Sequence, residues 1–241
     1  FFHLLKQSFL IILMLFVSGN VFSQDKKVNL SLSHPLSLAT EKSELKPNKY
    51  IQGTDSFKVV AIMIQYVPDT DPRTTGNGLF DLSNSFYNPS TGKDTVVDAP
   101  PYDSAYFADH LEFLKNYFSK SSKGKLNISY ELFGTVINLP NNMQTYSPQQ
   151  GESNVKLGNM FQDSWARADS FINFSNYDPN KTAFIIFHAG VGRDIDVSSI
   201  VGFDPTPYNI PSVFLGLRSL KEFYGTSYDG YLTNEGVYIT N

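Results

Sequence analysis

The chain contains no cysteine. Disulfide bridges, thiolate metal sites and thiol nucleophiles are therefore excluded outright. Tryptophan occurs once, and methionine and histidine four times each. Histidine-rich metal sites are thus unlike this composition, and each histidine has to be weighed singly. Charge is sparse as well. Charged residues make up 17% of the chain and the net charge is −4, with none of the basic stripes that nucleic-acid binders need. No apolar run is long enough to span a bilayer comfortably. What is abundant is the aromatic class, with 20 Phe and 14 Tyr, and a hydrophobic share of 41%. A chain of 241 residues with that share can bury a large core in one substantial domain or two small ones.

The first residues carry a location signal. Lys6 precedes the apolar run Phe9–Val17, and Val21-Phe22-Ser23-Gln24 supplies the small residues that leader peptidases accept. Residues 1–23 are read as a secretory leader cleaved after Ser23, which implies a secreted or cell-surface protein. Residues 24–54 are polar and irregular, a linker or pro-segment with at most one short strand. His34, before Pro35, is a solvated loop residue in this reading. Residues 55–241 are read as an incomplete α/β domain. The sequence opens on Phe and stops inside the β-like alternation "GVYITN", so a continuation beyond Asn241 is expected.

Along that domain, "FKVVAIMIQY" (57–66) is a nearly continuous apolar run, the pattern of a strand buried on both faces. A long loop with little regular pattern follows, to about residue 101. Asp103 or Ser104 caps a predicted helix with Tyr106, Phe107, Leu111, Leu114, Tyr117 and Phe118 on one stripe, ended by Gly124. Leu126–Leu139 alternates as a half-buried strand, expected to break into a hairpin near Gly134. A second helix carries Leu157, Met160, Phe161, Trp165, Ala168, Phe171 and Ile172 on one face. Thr182–Phe187 and Val213–Leu217 read as strands, "SLKEFYG" as a helical turn, and Tyr228–Thr240 as a hairpin. The order of elements predicts an α/β (α+β) layer domain, with helices packed on a mixed sheet.

The usual catalytic signatures are missing. There is no HExxH, no GxSxG and no phosphate-cradling glycine loop. His110, in "HLEFL", lacks a second histidine and sits at the border of the first helix's apolar stripe, a structural or surface position. "AFIIFHAGVGRDID" (183–196) is the most suggestive stretch. A greasy strand ends at His188, followed by a turn of small residues whose backbone N–H groups can face a ligand. Two acid pairs, Asp69 with Asp71 and Asp194 with Asp196, are candidate oxygen ligands for calcium, although loop acids more often cap turns.

Three stretches in order carry a resemblance. Tyr66, Pro68 and Asp69 end the first strand. Ser122, Gly124, Lys125 and Leu126 step from the first helix into the next strand. His188, Ala189, Gly190 and Gly192 end a third strand. This succession, over residues 57 to about 200, resembles the amino-terminal half of secreted M6-type peptidases, the immune inhibitor A family. Arg193-Asp194 stands where that family usually has Gln-Glu. The stretch from Asp196 to Leu217 looks more like a divergent branch that carries a type IX secretion tail. The resemblance implies the amino-terminal half of a zincin-like domain, a zinc-dependent endopeptidase acting on protein or peptide, and calcium as an accessory ion. It places the zinc helix beyond Asn241 and no catalytic residue within this chain. His188, Gly190, Gly192 and Arg193 would form the rim of the site. The alternative implied by the missing motif is a catalytically inactive surface or adhesion module.

Overall fold

The computed structural model describes residues 54–241 except 97, 150 and 195–197. The expected leader (1–23), most of the linker, His34 and Asp196 lie outside the described residues. Strand β1 (Asp55–Gln65) realises the first apolar run, and its burial explains the lack of alternation there. Val59 and Ala61 pack on one face of the sheet with Leu111, while Val60, Ile62 and Ile64 join a larger cluster on the other. Val60 through Ile64 are at most 1% exposed. A fully buried side chain of this size contributes about 1.5–3 kcal/mol, before chain entropy is set against it.

The long loop after β1 is not wholly irregular. It holds a two-residue antiparallel ladder, β2 (Tyr87–Asn88) with β3 (Lys93–Asp94). Helix α1 (Ser104–Ser121) begins where its cap was read. The Asp103 carboxylate accepts from the N–H groups of Ala105 and Tyr106 at 2.9 and 3.0 Å. Phe107 and Leu111 of the predicted stripe are buried, but Tyr117 and Phe118 stay exposed. They line a cleft with Ile185 and Phe187 of the sheet. The positive φ angles of Lys123 and Gly124 then turn the chain into β4 (Leu126–Asn138).

Strand β4 corrects the hairpin expected near Gly134. The strand runs through that glycine, and its pairing with β1 jumps from Ile62↔Phe133 to Met63↔Val136. Gly134 marks a bulge instead of a turn. A Cβ there would come within 3.0 Å of the Ser104 Cβ, so the missing side chain admits the first turn of α1.

The short helix α2 (Met143–Tyr146) leads to α3 (Val155–Ala168). Leu157, Met160, Phe161, Trp165 and Ala168 bury the face read from the sequence, with Ile172 beyond the helix end. Phe171 departs from that stripe and is 45% exposed. A 3₁₀ turn (Phe174–Asn176) precedes β5 (Thr182–His188). Helix α4 (Ser198–Val201) follows. The strand expected at Val213–Leu217 does not form: these residues meet no strand partner, and Phe214 points outward at 78% exposure. Helix α5 (Leu217–Tyr224) crosses α3 at Gly158, where an added Cβ would lie 2.8 Å from the Tyr224 hydroxyl. The closing hairpin is present as β6 (Tyr231–Leu232) and β7 (Tyr238–Ile239). Buried Asp169, just past α3, anchors it by accepting from the Asn234 N–H at 3.0 Å and the Tyr231 hydroxyl at 3.1 Å.

The result is an α/β fold. Its central sheet has the order β4-β1-β5 with both pairings parallel, and the antiparallel pairs are separate small ladders. Helix α1 covers one face and α3 the other. Among the described residues no helix is long and apolar enough to cross a membrane.

Candidate functional site at the carboxyl edge of the sheet

In open parallel sheets the strand ends on the carboxyl side are where loops converge and ligands bind. Here that edge gathers Tyr66 after β1 and His188 at the end of β5. Register puts them side by side, because Ile64 pairs with His188 and the Ala189 N–H donates to the Ile64 carbonyl at 3.0 Å. The two imidazole and phenol rings lie 6.3 Å apart.

The His188 ring is partly buried. Its Nδ1 lies 2.9 Å from the Ala189 carbonyl, an oxygen that only accepts, so Nδ1 carries the proton. Burial pushes the imidazole pKa below its ordinary value, against the opposing pull of the Ala189 carbonyl and of Asp194. The neutral ring therefore presents its lone pair at Nε2. Among the described residues the one fully buried side-chain N or O without a partner is Trp165 Nε1. Among those residues none donates a hydrogen bond to His188 Nε2. Chemically, such a nitrogen can take a proton or bind a metal, with its orientation fixed from the Nδ1 side.

The small-residue turn is shaped by close packing. Gly190 has φ +93, and a Cβ on it would fall 2.6 Å from the Met143 methyl and 3.3 Å from the Thr75 carbonyl. A Cβ on Gly192 would meet the Asp194 carboxylate at 3.2 Å. Arg193 does not present its charge at a rim. It turns inward, donating through Nη1 to the Pro148 carbonyl at 2.6 Å and the Pro207 carbonyl at 3.2 Å. Asp194 accepts from the Ser212 N–H at 2.7 Å.

The acids proposed for calcium have other partners. Asp69 accepts the Asp71 N–H in a tight turn. Asp71 receives a forked pair from Arg73, with Nε at 2.8 Å and Nη2 at 2.7 Å, and these bonds hold its carboxyl down to about 2. A guanidinium already seated on the carboxylate opposes a cation there. Among the described residues no three histidines or carboxylates come together to hold a metal ion. A catalytic zinc takes three protein ligands, so these residues do not fit a zinc centre.

Several residues that organise this edge have no local sequence signature. Asn209 is 2% exposed, accepts from the Thr75 N–H at 2.7 Å, donates to the Thr75 hydroxyl at 2.9 Å, and takes the Ser147 hydroxyl on its carbonyl at 3.0 Å. It ties together three loops from distant parts of the chain. Beneath them the Tyr66 hydroxyl meets only Met160 Sδ at 3.5 Å, and burial raises its pKa well above the ordinary value. Tyr146, 6.0 Å from Tyr66, donates to Asp163 at 2.6 Å. His110 lies away from this cluster. It is exposed, donates from Nδ1 to the Tyr106 carbonyl at 2.9 Å, and stacks near the Tyr106 ring.

Two clefts occur elsewhere. One of about 410 Å³ runs between the end of β4 and α3, lined by Asn138, Arg167 and Phe171 among others. The second, of about 320 Å³, lies between α1 and β5. Neither is lined by His188 or Tyr66. No protein-family model, curated protein or solved structure matches the chain.

Proposed function

We propose that this chain forms part of a secreted zinc-dependent endopeptidase, supplying the parallel sheet and the His188 turn, with the zinc-binding helix carried beyond this sequence. One observation supports the reading. Two of the resembling stretches, Tyr66–Asp69 and His188–Gly192, are far apart in sequence yet adjacent at one edge through the β1–β5 register. Convergence of separate motifs at the carboxyl ends of parallel strands is how α/β enzymes assemble a site. In this reading the chain's own residues shape and support. The His188 ring is held in one tautomer, Asn209 and Arg193 fix the loops, and the Gly190 turn brings backbone close to whatever is bound.

The test uses the product of the complete reading frame. Bound zinc is expected by elemental analysis, with hydrolysis of an unstructured protein substrate that a chelator stops and added zinc restores. A folded product that holds no zinc and cleaves nothing would overturn the reading in favour of an inactive surface module.

A further inference from the structure

Among the described residues β4 pairs on one side alone, with β1. The Leu139 N–H donates to the Gln65 carbonyl at 2.8 Å, which fixes Ile137 and Leu139 as residues whose backbone faces β1. By alternation Val136 and Asn138 turn their N–H and C=O groups away from β1, where no described residue bonds them. Their side chains follow Met63 and Gln65 onto the α1 face. Val136 packs with the cluster of Met63 and Phe107, and the Asn138 side chain accepts from the Gln65 amide at 2.7 Å. What these two residues bring to the cleft of about 410 Å³ beside α3 is therefore backbone. A strand side with unpaired groups is a template for another extended chain.

The opposite wall is the last turn of α3 and the residues just past it. Arg167 there is exposed, and its guanidinium takes no acceptor among the described residues. The other arginines are engaged: Arg73 forks onto Asp71, Arg193 donates to two carbonyls, and Arg218 lies 3.4 Å from Glu222. Asp163, one turn back on α3, takes the Tyr146 hydroxyl at 2.6 Å. No Asp or Glu lines the cleft, whose remaining walls are Thr135, Ile137, Ala166, Ser170 and Phe171. Phe171 stands 45% exposed with the Phe133 ring set edge-on to it at 6.2 Å, an apolar wall for a side chain. An occupant that satisfies all three features has an extended backbone, an apolar side chain and a negative charge. The guanidinium fork matches a carboxylate with two parallel bonds. The carboxyl end of a peptide carries all three within a residue or two of each other. The volume lies within the roughly 300–1,000 Å³ of ligand clefts.

We propose that the cleft between β4 and α3 binds the carboxyl-terminal residues of an extended peptide. The terminal carboxylate sits on Arg167, the last side chain packs against Phe171, and the backbone adds to β4 at Val136 and Asn138. The cleft lies at the side of the sheet opposite β5 and its His188, so the proposal stands independently of the peptidase reading.

Calorimetric titration of the full chain with the peptide acetyl-Ser-Val-Ser-Phe tests this. Saturable binding is expected for the free acid, weakened by about tenfold or more when the carboxyl end is amidated. Arg167→Gln should cost a similar factor and no longer tell acid from amide. Bound peptide should slow amide hydrogen exchange at Val136 and Asn138 and leave Ile62 unchanged. Trp165 fluorescence confirms that the variant is folded, and the comparison of acid with amide needs no variant at all. Absence of saturable binding at millimolar peptide would overturn the proposal. Equal binding of acid and amide, or an affinity that Arg167→Gln leaves intact, would do so too. Phenylacetate binding as tightly as the peptide would also overturn it, in favour of a site for small carboxylates.

Discussion

Gly190 lies at the tightest point of the His188 turn, and replacing it with alanine probes the whole edge. Two costs add. The residue has φ +93, a conformation that costs an L-residue about 1–2 kcal/mol. The new Cβ would also sit 2.6 Å from the Met143 methyl and 3.3 Å from the Thr75 carbonyl. Thr75 cannot retreat freely, because its N–H and hydroxyl are both held by Asn209. Met143 is flexible but only 1% exposed, so its movement disturbs the core at an overpacking cost of about 1–3 kcal/mol. The expected loss is about 2–5 kcal/mol, measured by urea unfolding with the Trp165 signal. For a domain of this size it corresponds to a fall in Tm of roughly 4–20 °C. A second variant separates the two costs. Met143→Ala alone should cost about 2–5 kcal/mol. If the Met143 methyl is the obstacle, the double variant will be more stable than additivity requires, by about 0.5–3 kcal/mol. A Gly190→Ala protein as stable as its parent, or strict additivity of the pair, would refute the reasoning.

Three further outcomes follow from the geometry. Because burial lowers the His188 pKa, the unfolded chain binds the proton first, so stability should be full above the ordinary value of 6.5 and fall as pH drops below it. The fall contributed by this group is at most about 1.4 kcal/mol per pH unit, and His188→Gln should flatten that part of the profile in denaturant titrations. Under the proposed peptidase reading, His188→Ala is expected to destabilise the full-length protein at least as much as it lowers turnover, so a fully stable but inactive variant would count against a packing role. Asp169→Ala removes the acceptor for Asn234 and Tyr231 and should cost about 2–4 kcal/mol, with faster amide exchange across β6 and β7. Gly158→Ala gains up to about 1 kcal/mol of helix propensity, yet meets Tyr224 and Phe223 within 3 Å, so a net thermal destabilisation is expected.

Much of the scaffold was legible because its signals are local. The two-faced burial of β1, the Asp103 cap and the α3 stripe each follow from residues a few positions apart. The misreadings share a cause. A lone glycine in an alternating strand, as at Gly134, signals either a turn or a bulge, and the contact with Ser104 that decides between them is tertiary. Val213–Leu217 has strand composition but no strand to pair with, and burial of a ladder partner is what converts propensity into a strand. The Asp71–Arg73 fork was in principle readable, since the residues are two apart, and it weakens the calcium reading of that acid. The site's framework was not readable. Asn209, Ser147 and Thr75 carry ordinary turn residues, and only the fold brings them into bonding distance.

The central position of β1 has a consequence for how the chain is made. Among the described strands β1 leaves the ribosome first, yet its second neighbour, β5, arrives roughly 120 residues later, or about 6–25 s at ordinary rates of synthesis. During that interval Val59–Ile64 is a sticky, uncharged tract with no neighbour on one side. Closing it against β5 also means joining distant parts of the chain, which slows folding relative to local pairing. A chain built this way leaves its β1 tract uncovered until β5 is available, and that tract is the natural place for a chaperone or a misassembled copy to bind.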